Sequence, residues 1–231
     1  MQGVVLVDKP SGWTSFDVVN KVRRMVAAIE GKKPKNCKVG HTGTLDPLAT
    51  GLLVLLVGKE YTRRAGELTK LDKTYEVTMK LGETSTTGDE EGEKTAVSGT
   101  IPTERAVLEA LTAFRGHIMQ VPPAYSAIKI DGKRAYDLAR AGKTVEFEAR
   151  PVTIHSIELT RYDYPFVEFN ADVSSGTYIR SLVEDLGTHL GTGAYMSALR
   201  RTRVGSFQLQ GALQIDTLTP EILSAHLAEL P

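Results

Sequence analysis

A single cysteine, Cys37, is all the thiol the chain carries, so no disulfide framework can form within it. That fits a reducing compartment. Long apolar runs are also missing. The longest, near residues 52–57, is far too short to span a bilayer. The N-terminus, MQGVVLVDKPSG, lacks the basic start and small-residue cleavage site of a signal peptide. These absences lead us to expect a soluble cytoplasmic protein with no membrane contact. Charge of either sign is not in excess: 28 Lys and Arg balance 28 Asp and Glu. No global field therefore advertises a nucleic acid, and charge must be read locally. Aromatics are sparse at 6%. Five histidines, at 41, 117, 155, 189 and 226, have no metal-ligand spacing with one another or with Cys37, which argues against a metal site. There is no GxxxxGK[ST] loop, no GxGxxG after the first strand and no GxSxG elbow. An enzyme built on this chain works with side chains alone, without a cofactor.

What is present suits one large domain, or one domain with a small appendage. The length is 231 residues and 41% of them are hydrophobic. Residues 3–7, GVVLV, read as a buried strand ending in the turn DKPSG. Thr14-Ser15-Phe16-Asp17 starts a helix through about Glu30, with Val18, Val19, Val22 and Val26 inward. A loop over 31–39 follows. Between Lys21 and Lys38 there are seven Lys or Arg against one acid, Glu30. A solvated face and a phosphate-binding patch both fit that count. Next come a strand near 53–57 and a helix near 61–70.

KTYEVTMKL (73–81) alternates with period two, placing Tyr75, Val77, Met79 and Leu81 on one face. The acidic stretch 83–95 reads as a mobile loop, and 104–115 as a helix. Residues 119–150 read as an insertion, with an Asp131-Gly132 hairpin turn and a following helix. The last third holds two long strands, VTIHSIELTRY and FVEFNADVSS. A helix through GTYIRSLVEDLGTHLG follows, then the basic LRRTRVG, a strand VGSFQL and a terminal helix TPEILSAHLAEL. Strands joined by hairpins with helices interspersed indicate an α+β fold on a largely antiparallel sheet.

The densest signal is GHTGTLDPLATG, residues 40–51, in which Asp46 is the one acid. Asp-Pro alone reads as a helix N-cap. Three glycines, His41, Thr42 and Thr44 crowd more polar and flexible positions around Asp46 than a cap requires.

GHTGTLDPLATGLL resembles the signature of the TruB family of tRNA pseudouridine synthases. GVVLVDKPSGWTSFDVVNKVR is similar to that family's N-terminal motif, and KTYEVTMKLG to its second motif strand. QVPPAYSAIKIDGKRAYDLARAG resembles its RNA-gripping insertion. SSGTYIRSLVEDLG and MSALRRTRVGSF resemble its third motif and the closing segment of its core. In the family's order these segments run from near residue 3 to residue 208.

The resemblance implies isomerisation of uridine in RNA, with the base detached at N1 and reattached through C5. It places the catalytic carboxylate at Asp46, with three routes open: attack on the sugar, addition to the base, or removal of a sugar proton. It makes Arg180 the expected partner of Asp46 and Tyr75 the aromatic against the target uracil. Tyr178 and Leu199 match family positions that line the same pocket, Lys9 resembles a family lysine near it, and His41 matches a family histidine linked to base extrusion. From the residues alone, Tyr75 and Leu199 read equally as core, Arg180 as a surface arginine, and His41 as structural. The insertion, about 119–150, resembles the family's thumb-like element, which closes on the T arm of tRNA. Lys32, Lys33, Lys35, Lys129, Lys133, Arg134, Arg200, Arg201 and Arg203 are the expected phosphate contacts. The implied fold is a pseudouridine-synthase-like α+β domain over residues 1–210, with no metal and no organic cofactor.

One departure stands out. Many family members add a C-terminal PUA domain, whereas residues 211–231 here read as a short helical extension without room for one. The expectation is therefore a stand-alone monomer with no obligate protein partner, acting on uridine 55 of tRNA. Alternatives are a synthase acting on another RNA, an RNA-binding or tRNA-folding protein on the same scaffold, and a glycosidase. The last needs two carboxylates, for which only GDEEGE and VEDLG offer a second candidate.

Overall fold

The computed structural model describes residues 1–126, 128–130, 132–135, 141 and 147–230. The chain forms two compact units: Met1–Tyr75 with Leu199–Pro231, and Glu76–Ala198.

In the first unit, β1 (Gly3–Lys9) runs antiparallel to β3 (Thr50–Val57) along its whole length. β2 (Val39–His41) pairs antiparallel with the far end of β3. β12 (Ala194–Val204) enters this unit at Leu199 and lies parallel to β3, with Arg200 opposite Thr50 and Arg201 opposite Gly51. Its end turns back through β13 (Phe207–Gln208), and β14 (Leu213–Gln214) adds parallel to β1. Buried strands of this kind need apolar residues on both faces. TGLLVLLV supplies them. Leu53, Leu55 and Val57 pack under α1 (Ser15–Glu30), while Leu52, Val54 and Leu56 pack with Leu68 and Val204.

α1 starts where Thr14 and Asp17 cap each other reciprocally, and it ends at Gly31 in the left-handed region. The helix expected near 61–70 is instead two short ones, α2 (Lys59–Arg63) and α3 (Ala65–Leu68). The ladder breaks at Arg64, whose N–H bonds three residues back to Tyr61, and Gly66 gives the second piece little helical preference. The terminal helix is also shorter than expected. After Thr219 caps α6 (Pro220–Ala225), the chain straightens and Ala228 exchanges backbone bonds with Val4.

The second unit carries β4 (Lys73–Leu81, from Glu76 onward), β11 (Phe166–Val173), β10 (Arg150–Asp163) and β7 (Gly116–Gln120), in that order across the sheet. β10 is antiparallel to both neighbours. α4 (Glu104–Ala113) packs on β10 and on α5 (Ile179–His189). The sheet is thus mostly antiparallel and the class α+β, in agreement with the sequence.

Residues 83–95, expected as a loop, fold as a hairpin of β5 (Glu83–Ser85) and β6 (Lys94–Ala96). β-branched threonines at 84 and 95 face each other in register, and Asp89 turns inward to accept from the Thr87 hydroxyl and the Glu91 N–H.

The insertion begins where β7 ends and closes where β10 begins, since Gln120 pairs with Arg150. Inside it, β8 (Lys129–Ile130) and β9 (Lys133–Arg134) form the expected two-residue hairpin, with Gly132 at φ 82°. Asp131 itself and the helix expected after the hairpin lie outside the described residues.

Candidate active site

Asp46 sits in the connection from β2 to β3 of the first unit. No helix follows it: the Ala49 N–H closes a turn on the Asp46 carbonyl and β3 begins at Thr50. The helix-cap reading of Asp-Pro therefore fails. The connection is fixed along its length. Ser15, buried at the start of α1, accepts the Leu45 N–H at 2.8 Å and donates to the Leu45 carbonyl at 3.1 Å. Gly12 N–H donates to the Pro47 carbonyl, and Thr42 N–H to that of Val54. His41 folds back so that its Nδ1 accepts the Gly43 N–H at 3.2 Å.

Three cations buried in the same unit complete the frame. Lys9 is 0% exposed, and its Nζ donates to the carbonyls of Pro10, Trp13 and Pro47 at 2.9, 2.7 and 3.2 Å. Arg201 is 1% exposed and donates from Nε to Leu52, from Nη2 to Gly43 and from Nη1 to Thr44, all carbonyls. Lys73 donates to the carbonyls of Thr69 and Leu71. Burial pushes the Lys9 ammonium down to about 8; the Asp46 charge opposes that shift and the Arg201 charge adds to it. Burial also lowers Lys73 to about 8, again reinforced by Arg201. Gly51, at φ 98°, passes so close to β12 that a Cβ would stand 2.3 Å from the Arg201 carbonyl oxygen.

Two sequence expectations change here. Arg201 cannot be a phosphate contact, because its guanidinium is spent on three carbonyls inside the protein. A planar fork of donors suits that task better than it suits surface duty. Lys9 reaches backbone rather than solvent, which makes it a brace of the Asp46 connection rather than a substrate contact.

The other expected residues of this unit are arranged as follows. Tyr75 and Leu199 are buried, at 7% and 9% exposure. Arg200 grips Asp8 through both terminal nitrogens, at 2.7 and 3.2 Å. Arg203 donates to the Thr74 hydroxyl and the Gly205 carbonyl. Lys32 pairs with Glu30 at 2.9 Å, and Lys33 and Lys35 are exposed. The side chains of Lys129, Lys133 and Arg134 lie outside the described part.

In the second unit, Tyr178 precedes α5, and the Gln120 amide holds its backbone at both the N–H and the carbonyl. Arg180, 6% exposed, donates to the carbonyls of Thr87 and Tyr125 at 3.1 and 2.8 Å. The Asp89 carboxylate stands 3.8 Å from its Nε. Arg180 is therefore not the surface arginine that its helical position suggests. Burial raises the Glu184 carboxyl above its ordinary value, with Arg180 opposing that shift. Sequence reasoning missed Ser15, Lys73, Asp89 and Gln120. A lysine on the apolar face of KTYEVTMKL was the one available signal for Lys73. Among the described residues, no three His, Cys, Asp or Glu side chains gather as a metal site, and no helix is long and apolar enough to cross a membrane.

Residues 30–179 match the family described as TruB family pseudouridylate synthase (N terminal domain). Residues 180–229 match the tRNA pseudouridylate synthase B C-terminal domain. Among curated relatives, tRNA pseudouridine synthase B of Thermobifida fusca is 49% identical over 98% of this chain and 78% of its own. The protein of that name from Burkholderia lata is 49% identical over 95% of this chain and 65% of its own. Among solved structures, a chain of a Cbf5-Nop10-Gar1 complex superposes with TM-score 0.68 at 31% identity, over 94% of this chain and 53% of that one. A chain of an H/ACA RNP bound to a substrate RNA containing 2′-deoxyuridine gives 0.67 at 28% identity. The chain thus spans about half the length of these two solved chains.

Proposed function

We propose that this chain, which belongs to the TruB family of pseudouridylate synthases, isomerises uridine 55 in the T loop of tRNA to pseudouridine with Asp46 as its catalytic carboxylate. In the reaction the N1–C1′ bond breaks, a C5–C1′ bond forms, the C5 hydrogen leaves as a proton and N1 gains one. The atoms balance without an added reductant, oxidant or group donor, so side chains suffice.

One observation carries the reading. The only acid between Gly40 and Gly51 lies part-exposed on a connection that the buried Ser15 and Lys9 side chains hold at Leu45 and Pro47, on either side of it. A turn residue with no chemistry to perform needs no such bracing. Preorganised geometry of this kind is what a carboxylate acting on a ribose or uracil requires. Tyr75, Tyr178, Arg180, Leu199 and His41 are proposed as the uridine-binding set, working on tRNA without a metal, an organic cofactor or a protein partner.

The test is tritium release from [5-³H]uracil in tRNA transcripts by wild type and Asp46→Asn. Melting curves and a tRNA-binding assay run alongside. Release from position 55 by wild type, and a loss of at least about 10²-fold in a folded, RNA-binding variant, supports the proposal. Equal release by both proteins removes Asp46 from the chemistry. Release by neither, with tRNA still bound, points to a binding or folding role. Release from other uridines only points to a different RNA target.

A further inference from the structure

The solvent face of α1 shows a feature that the reaction does not absorb. Phe16, Asn20 and Arg23 follow one another at helical spacing on one stripe. Phe16 is 61% exposed, unusual for a ring that could turn inward only at another position of the helix. The Arg23 guanidinium lies 5.8 Å from the ring centroid, oriented by the Asn20 side-chain oxygen at 2.7 Å. Arg24 lies exposed beside the stripe, and Lys33, Lys35 and Lys38 stand exposed on the loop that leaves the helix.

The position of the stripe matters as much as its composition. At one end, Ser15 is bonded to both backbone groups of Leu45, the neighbour of Asp46. At the other, Arg23 Nη2 donates to the carbonyl of Val39, two residues before His41. The helix that carries the stripe is therefore tied to both ends of the segment from Val39 to Leu45, through Arg23 of the stripe itself and through the buried Ser15 that precedes Phe16. Phe16 thus follows directly on the residue that holds the neighbour of Asp46. An exposed ring among cations suits a base on its face with phosphates flanking it, the arrangement by which single-stranded nucleic acid is held without sequence reading.

We propose that the Phe16–Asn20–Arg23 stripe of α1 is an RNA contact in its own right, in which the Phe16 ring stacks on a nucleotide flanking the target uridine. The inference rests on the reading of the chain as an enzyme of RNA. The Arg23 guanidinium against the ring, with Asp17 the one acid among the stripe's immediate neighbours, favours RNA over an apolar protein segment as the occupant.

The experiment compares wild type with Phe16→Ala, Phe16→Leu and Phe16→Trp. Two probes are used: a fluorescent T-arm hairpin and a single-stranded oligouridylate. Because Phe16 is exposed, all four proteins should share one melting temperature. Removing one base–aromatic stack should weaken binding between about fivefold and a hundredfold in the Ala and Leu variants. The Trp variant should bind at least as well as wild type, and kcat at saturating RNA should change less than KM. Ala and Leu variants that bind both RNAs as wild type does overturn the contact. So does a wild type that binds neither RNA. A wild type that modifies no uridine 55, but whose Ala and Leu variants lose affinity for the oligouridylate, keeps the contact and discards the tRNA reaction.

Discussion

Arg201 shows what a single residue decides in this molecule. In the sequence it is the middle of a basic run, LRRTR, and reads as surface. In the structure its guanidinium, 1% exposed, donates to the carbonyls of Gly43, Thr44 and Leu52. Arg201→Met should destabilise the protein by roughly 3 kcal/mol or more, read from urea unfolding, because several acceptors lose their donor at once. Arg201→Lys should recover only part of that, since a point ammonium cannot reach three acceptors in a plane. Lys9 makes a separate prediction through its proton. Its value falls from 10.5 in the unfolded chain to about 8 in the folded one. Between those two values the unfolded state binds more protons, so this term stabilises the fold increasingly as pH rises from about 8 to 10.5, and it penalises folding most below 8. The unfolding free energy of wild type relative to Lys9→Met should therefore increase across that window. A flat difference between the two proteins would mean that Lys9 titrates normally.

At the scale of elements, legibility followed periodicity. The all-apolar TGLLVLLV gave a strand buried on both faces, and the alternation of KTYEVTMKL gave β4 with Tyr75, Val77, Met79 and Leu81 buried. The start of α1 was readable because Thr14 and Asp17 form a reciprocal cap, an element that acts within four residues. Thr14→Ala should cost about 1 kcal/mol in chemical denaturation, and a second change at Asp17 should add less than its single effect, since the two caps share one geometry. Failure came where tertiary partners override local pattern. Residues 83–95 look like an acidic loop because their order comes from Thr84 meeting Thr95 and from the inward turn of Asp89, neither visible in composition. The proposed site residues divide in the same way. Asp46 announced itself through a dense motif, and Arg180 and Tyr178 through resemblance alone. Ser15, Gln120 and Asp89 stayed hidden because each acts on a residue at least 30 positions away: Ser15 on Leu45, Gln120 on Tyr178, Asp89 on Arg180.

For the whole molecule the decisive quantity is the zero net charge, from 28 cations and 28 anions. A neutral protein gains little long-range attraction for a polyanion, so its affinity must come from local cation groups facing phosphates. The exposed loop after α1, with Lys33, Lys35 and Lys38, is the proposed group, whereas buried Arg201 and Glu30-paired Lys32 offer little. If Lys33 and Lys35 each meet a phosphate, the Lys33→Ala, Lys35→Ala double variant should bind tRNA more weakly at low salt. Its plot of log Kd against log salt, taken between about 50 and 200 mM, should be shallower by about 1.5 than that of wild type, since each contact contributes about 0.7 to 0.9 to the slope. Turnover at saturating tRNA should be unchanged, because these contacts position the RNA and do not reach the reacting base. Parallel plots would remove this loop from the RNA path. The neutral protein would then depend for affinity on the flipped base and on stacking along α1.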